Sequence, residues 1–308
     1  MKEVIHVLPD FVRQSFLALS PKIMNEVEEI RLRVNRPIEV RTHNNTYILK
    51  LGTSNLEFKE PDAQMMMSLL SQHSVYRLEE ELKRGYITIP GGHRVGLAGR
   101  VIMEKGEVKG IRDISSYNIR VARQKSGVAA SYLPHLHHKG GWCHTLLIGP
   151  PKSGKTTLLR DLAKEISMGT KSPSLPAKNV GIIDERSEIA GSVRGIPQHE
   201  FGVKVDILDA CPKAEGLMMM IRSMSPEVII VDEIGRKEDG DAIMEAVHAG
   251  VTIFASVHGG SLDDVKKRPT IAHLIDQGFF QRAIELNVQS KRGIVRKLTK
   301  VSTVRGVQ

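Results

Sequence analysis

Residues Gly149-Pro150-Pro151-Lys152-Ser153-Gly154-Lys155-Thr156 satisfy the pattern G-x-x-x-x-G-K-[ST] and stand between an apolar run, Thr145 to Ile148, and a stretch with helical spacing. A glycine-rich turn in that setting points its backbone N–H groups inward and ends at a helix N-terminus, whose positive end adds to the field on an anion. The spacing therefore predicts strand, phosphate-binding loop and helix in succession, and commits this half of the chain to an α/β sheet. Lys155 reaches the β- and γ-phosphates of ATP, Thr156 offers its hydroxyl to Mg²⁺, and Thr157 completes the binding segment. Leu158, Leu159, Leu162, Ala163 and Ile166 keep the spacing of a helix face turned to the sheet.

Such a loop needs a second site to hold the metal and prepare water. The run Val228-Ile229-Ile230-Val231 reads as a buried parallel strand that ends on Asp232-Glu233, at the edge where ligands of open α/β sheets bind. Asp232 is the metal-side carboxylate and Glu233 the candidate base for the attacking water. Two further strands bring polar groups to the same edge. Asn179 to Asp184 closes on Asp184-Glu185-Arg186, and Val251 to Val257 closes on His258. Asp184 and Glu185 are candidates to tune Mg²⁺ or water, and His258 to sense the γ-phosphate. Met218-Met219-Met220 lies in a helix running into Ser225-Pro226 and reads as adaptable core.

At 308 residues, 41% apolar and 26% charged, the chain has ordinary globular composition and a length that predicts two domains. It has no apolar run of membrane-spanning length, and Met1 to Asp10 lacks the apolar stretch of a signal peptide, so a cytoplasmic location is expected. Cys143 and Cys211 stand far apart with no C-x-x-C, which supports neither a disulfide framework nor a zinc module. The net charge of +9 is spread along the chain, with one acid-free stretch holding Lys291, Arg292, Arg296, Lys297, Lys300 and Arg305. A solvated edge strand from Ile294 to Val301, protected by its charges, accounts for these better than a footprint for a membrane surface or nucleic acid, and no aromatic is there to stack on bases.

Residues 1–124 read as a separate α+β domain and residues 125–308 as the ATPase domain with a basic tail. In the first, Glu29 to Val34, Ile38 to Arg41 and Tyr47 to Leu51 read as strands, Asp62 to Arg84 as one helix ended by Gly85, and Tyr86 to Val121 as a meander of short strands. From Thr145 onward strands alternate with helices in the βαβ manner.

The order of these boxes, with Ala246-Val247-His248-Ala249-Gly250 and Ser256-Val257-His258-Gly259, resembles the RecA-like core of type II/IV secretion ATPases over roughly residues 125 to 290. Including Glu28 to Pro37 and Pro90-Gly91-Gly92-His93-Arg94-Val95-Gly96, the whole chain resembles a family of sporulation proteins of endospore-forming bacteria. That likeness implies an ATPase of the mother cell that energises a channel joining it to the forespore. It implies integral-membrane components of that channel as partners, which recruit the protein to the membrane, and a hexameric ring in which an arginine of one subunit meets the γ-phosphate held by another. Arg94, Arg100, Arg112 and Arg120 are the candidates. The chain departs from the secretion ATPases in placing Arg236 three residues after Glu233 rather than an arginine two residues after it. A nucleic-acid remodelling ATPase and a nucleotide-gated assembly factor are the alternative readings. Glu233 argues for turnover.

Overall fold

The computed structural model describes residues 1–71, 78–124, 126–138, 141–171, 174–289 and 293–301. The chain divides into two compact units, Met1–Arg123 with Gly191–Gln198, and Gln124–Ala190 with His199–Gln308. The short segment Gly191–Gln198 thus groups with the N-terminal unit although its sequence lies inside the C-terminal half. There the Gly91 N–H donates to Gln198 Oε1 at 3.0 Å.

The first unit carries a six-stranded antiparallel sheet in the order Thr46–Ile48, Glu39–Thr42, Val27–Arg33, Glu107–Arg120, His93–Glu104, Tyr86–Ile89. Strand Val27–Arg33 alternates as the period of a pleated strand demands, burying Val27, Ile30 and Leu32. Three short helices, Lys2–His6, Asp10–Leu17 and Pro21–Glu26, precede it, and Val4, Leu8, Val12 and Phe16 join its core. Tyr117 crosses Phe58 edge to face with ring centroids 6.1 Å apart and donates its hydroxyl to the Ala63 carbonyl at 2.7 Å.

Two sequence expectations change here. The meander is one long hairpin, His93–Glu104 with Glu107–Arg120, because the chain bulges where a break was read. Register shifts between Arg112 and Ser116, Asp113 adopts φ 46°, and a Cβ on Gly99 would lie 2.7 Å from the carbonyl oxygens of both Arg112 and Asp113. The single helix from Asp62 to Arg84 is instead two, Glu60–Ser71 and Glu79–Arg84. Leu78, at φ −106° and ψ 8°, stands outside helical geometry and caps the second, and residues 72–77 lie outside the described residues.

The second unit is built on a seven-stranded sheet ordered Val205–Asp209, Val180–Asp184, Val228–Val231, Thr252–His258, Thr145–Gly149, Arg282–Gln289, Gly293–Lys300. All neighbours are parallel except the last pair. Both faces are covered, so the strands read as apolar runs rather than as alternation. Val228 and Ile230 pack with the P-loop helix Lys155–Met168 through Leu158, Leu159 and Leu162, while Ile229 and Val231 pack with Leu217, Met220 and Ile243 from helices Lys213–Met224 and Lys237–His248. Of the three adjacent methionines only Met220 is core; Met219 is 53% exposed. Gly293–Lys300 is the edge strand expected from its charges, whereas Lys291, Arg292 and Arg305 lie outside the described residues.

Candidate nucleotide site

Parallel register places the site. Gly149 lies opposite His258, Val231 opposite Ala255, and Ile183 opposite Val231, so the ends of four strands deliver Gly149, Asp184, Asp232-Glu233 and His258 to one edge of the sheet. The P-loop begins directly after the central strand. Lys152 and Gly154 adopt φ 62° and 90°, and a Cβ on Gly149 would stand 2.3 Å from Ser153 Oγ and 2.6 Å from the Leu286 carbonyl. Glycine is therefore required at 149 for close approach and favoured at 154 for backbone sign. Pro150 and Pro151 lead into the exposed turn at Lys152.

Lys155 is 5% exposed. Its ammonium donates to the carbonyls of Gly149 at 2.7 Å and Pro150 at 3.0 Å, and lies 3.3 Å from His258 Nδ1. Burial lowers its pKa, and the carboxylates of Asp232 and Glu233 pull it back up. The Thr156 hydroxyl donates to Asp232 Oδ2 at 2.9 Å, and the Ser256 hydroxyl donates to Asp232 Oδ1. Ser256 also accepts the Glu233 N–H at 3.0 Å. Glu233 sits at φ 53°, where a non-glycine residue is uncommon, so its direction is fixed by the turn. One carboxylate oxygen lies 2.6 Å from His258 Nε2 and the other 2.6 Å from Arg186 Nη1.

The acidic pair at the neighbouring strand end is organised differently. Asp184 is 2% exposed, and its carboxylate accepts the N–H groups of Glu188, Ile189 and Ala190 at 2.8, 3.0 and 2.8 Å. Burial pushes its pKa up to about 6, the three N–H donors oppose this, and the Asp209 charge adds to the rise. Glu185 pairs with Lys213. Both Asp184 and Glu185 therefore have their oxygens engaged by the protein itself.

Sequence reasoning did not single out four residues that shape this edge: Arg160, Arg186, Lys213 and Ser256. Arg160 leaves the P-loop helix to donate to the carbonyls of Ile189 at 2.6 Å and Glu188 at 2.7 Å, which ties the loop after Asp184 to the nucleotide loop. Burial lowers its pKa to about 10 against the opposing charges of Asp184, Asp232 and Glu188. Arg160 lies off the stripe formed by Leu158, Leu159, Leu162, Ala163 and Ile166, so helical spacing carried no signal for it. Arg94, Arg100, Arg112 and Arg120 lie on the long hairpin of the first unit, where Arg94 faces Arg120 and Arg100 faces Arg112 across the strands. The Arg94 guanidinium stacks 3.3 Å from the Tyr86 ring centroid.

The donor set fits a nucleotide and its metal. Ser153 Oγ is buried within the loop without a hydrogen-bond partner, and a buried ammonium is held there by two carbonyls alone among oxygens. The adjoining Thr156 hydroxyl and Asp232 carboxylate are hard oxygen donors of the kind Mg²⁺ prefers.

Comparison with known proteins agrees with this fold. The family model described as Sporulation stage III, protein AA, matches residues 1–305. Stage III sporulation protein AA of Bacillus subtilis (strain 168) is 54% identical over 299 residues, covering 97% of this chain and 94% of the relative. Among solved structures, the Legionella pneumophila ATPase DotB superposes with a TM-score of 0.64 at 14% identity, covering 96% of this chain and 82% of that one. The pilus retraction motor PilT, solved with bound ADP, gives 0.60 at 18% identity, covering 92% and 82%. At those identities the likeness establishes a RecA-like core preceded by a smaller α+β unit, the architecture expected from the sequence.

Proposed function

This chain belongs to the sporulation stage III protein AA family, and on that premise we propose that it is a Mg²⁺-dependent ATPase that works as a secretion-type motor. The observation that carries the reading is the convergence of Lys155, the Thr156–Asp232 pair and Glu233 on one sheet edge. Lys155 turns its ammonium from the loop carbonyls to the β- and γ-phosphate oxygens, and the loop N–H groups hold the remaining charge. Thr156 and Asp232 hold Mg²⁺, which when bound neutralises charge developing on the phosphate oxygens. Glu233 orients the attacking water and takes its proton on a carboxylate oxygen. His258, between Lys155 and Glu233, connects phosphate binding to the base. Asp184 and Glu185 support this edge by ordering the loop that carries Arg186.

The motor would act from the mother-cell cytoplasm on a channel to the forespore, as a ring of copies recruited by integral-membrane partners. This is consistent with the family and with the finding that no helix among the described residues is long and apolar enough to cross a membrane. One of the hairpin arginines would complete a neighbour's site. Residues 1–124 would supply that contact and residues 125–308 the chemistry. The test is nucleotide binding by titration calorimetry with Lys155→Ala beside wild type. Loss of ATP binding in the variant, with an unchanged unfolding profile, is expected. Wild-type protein that binds no ATP would overturn the reading.

A further inference from the structure

The carboxylate of Glu233 is engaged on both sides. Glu233 Oε1 meets His258 Nε2 and Oε2 meets Arg186 Nη1, each at 2.6 Å. The turn at Glu233 sets the direction in which its side chain leaves the backbone. Each oxygen carries one of these partners, and withdrawal of either opens that oxygen fully to water. His258 is held from its other nitrogen by Lys155 at 3.3 Å and ends a central strand. The Arg186 side chain is 59% exposed and follows the Asp184 turn, so it moves with the smaller loss of packing.

From this geometry we propose that Arg186 is the residue that distinguishes ATP from ADP, a proposal that rests on the ATPase reading above. Without nucleotide it holds Glu233; with ATP its planar fork transfers to the terminal phosphate and frees the carboxylate for water. A partly exposed ion pair is weakened by solvent, so an anion carrying more charge and presenting paired oxygens displaces Glu233 readily. ADP lacks that group and leaves the pair closed. Arg186 is a positioning residue in the first state and touches substrate only in the second.

Affinities of ATP and ADP, each with Mg²⁺, are to be measured by calorimetry for wild type, Arg186→Ala and Arg186→Lys, together with a thermal-unfolding cycle on Arg186→Ala and Glu233→Gln without nucleotide. Arg186→Ala should weaken ATP by about 10-fold or more, the scale of a lost charge-assisted hydrogen bond, with ADP unchanged. Arg186→Lys should fall between, since lysine keeps the charge without the fork. In the cycle the two substitutions should be non-additive. An equal loss for both nucleotides, no loss for either, or strict additivity would overturn the proposal. Wild type that binds neither nucleotide would instead refute the ATPase reading itself.

Discussion

Two neighbouring strands of the parallel sheet end in the same dipeptide, Asp184-Glu185 and Asp232-Glu233, yet the structure gives the two ends opposite characters. At the first, three backbone N–H groups close on Asp184 and a lysine closes on Glu185. At the second, hydroxyls of Thr156 and Ser256 meet Asp232, and movable cationic or ring donors meet Glu233. Backbone amides cannot withdraw without unfolding a loop, whereas hydroxyls rotate and side chains swing. An acid bound by backbone holds the fold together, and an acid bound by rotatable groups is available for exchange with a ligand. On the proposed reading, which of two identical motifs is chemical depends on what donates to it.

The sharpest way to break this contrast is to delete each aspartate. Asp184→Ala strands three N–H groups, those of Ile189 and Ala190 buried, and a buried one costs about 1–3 kcal/mol, so urea unfolding should show a loss of several kcal/mol or no stable fold. Asp232→Ala strands no backbone N–H group: the partly exposed Thr156 hydroxyl can turn to water and the buried Ser256 hydroxyl keeps the Glu233 N–H, so the loss should be smaller. Equal losses would end the distinction.

A subtler version uses pH. The folded-state pKa of Asp184, about 6, lies above the 3.8 of an ordinary aspartate. The folded protein therefore binds the proton more tightly than the unfolded chain, and this group's contribution is fully present below 3.8 and lost as pH rises through about 6. The advantage of wild type over Asp184→Asn in urea midpoint should shrink across that window. An advantage that grows with pH would show that the three N–H donors, not burial, dominate.

The smallest effect is expected at Glu185. Glutamine keeps an acceptor oxygen for the lysine partner and no backbone donor is stranded, so Glu185→Gln should lower stability by less than either aspartate deletion. ATP affinity should not change. A large loss of affinity would place Glu185 with the metal site after all.

The P-loop, both acidic strand ends and His258 were legible because a buried parallel strand is an uninterrupted apolar run and its polar terminus stands out. The roles of the two ends were not. Nothing in Asp184-Glu185 as a string shows that residues 188–190 fold back to donate to it, nor that Lys213 arrives from a helix nearly thirty positions on. Arg186 was passed over because its partner, Glu233, lies on another strand. In the first unit the long hairpin was divided into short strands, since Gly99 and Asp113 look like turn residues and act as a bulge. Local chemistry marks where a chain departs from regularity and leaves open whether it turns or bulges.

The most direct test is steady-state ATP turnover of Glu233→Gln and Glu185→Gln, purified and assayed side by side with Mg²⁺ at equal concentration. Loss of the base should slow Glu233→Gln by about 10²-fold or more while ATP still binds, and Glu185→Gln should stay near wild type. The reverse order, or equal rates in all three proteins, would contradict the assignment of chemistry to the Asp232-Glu233 end.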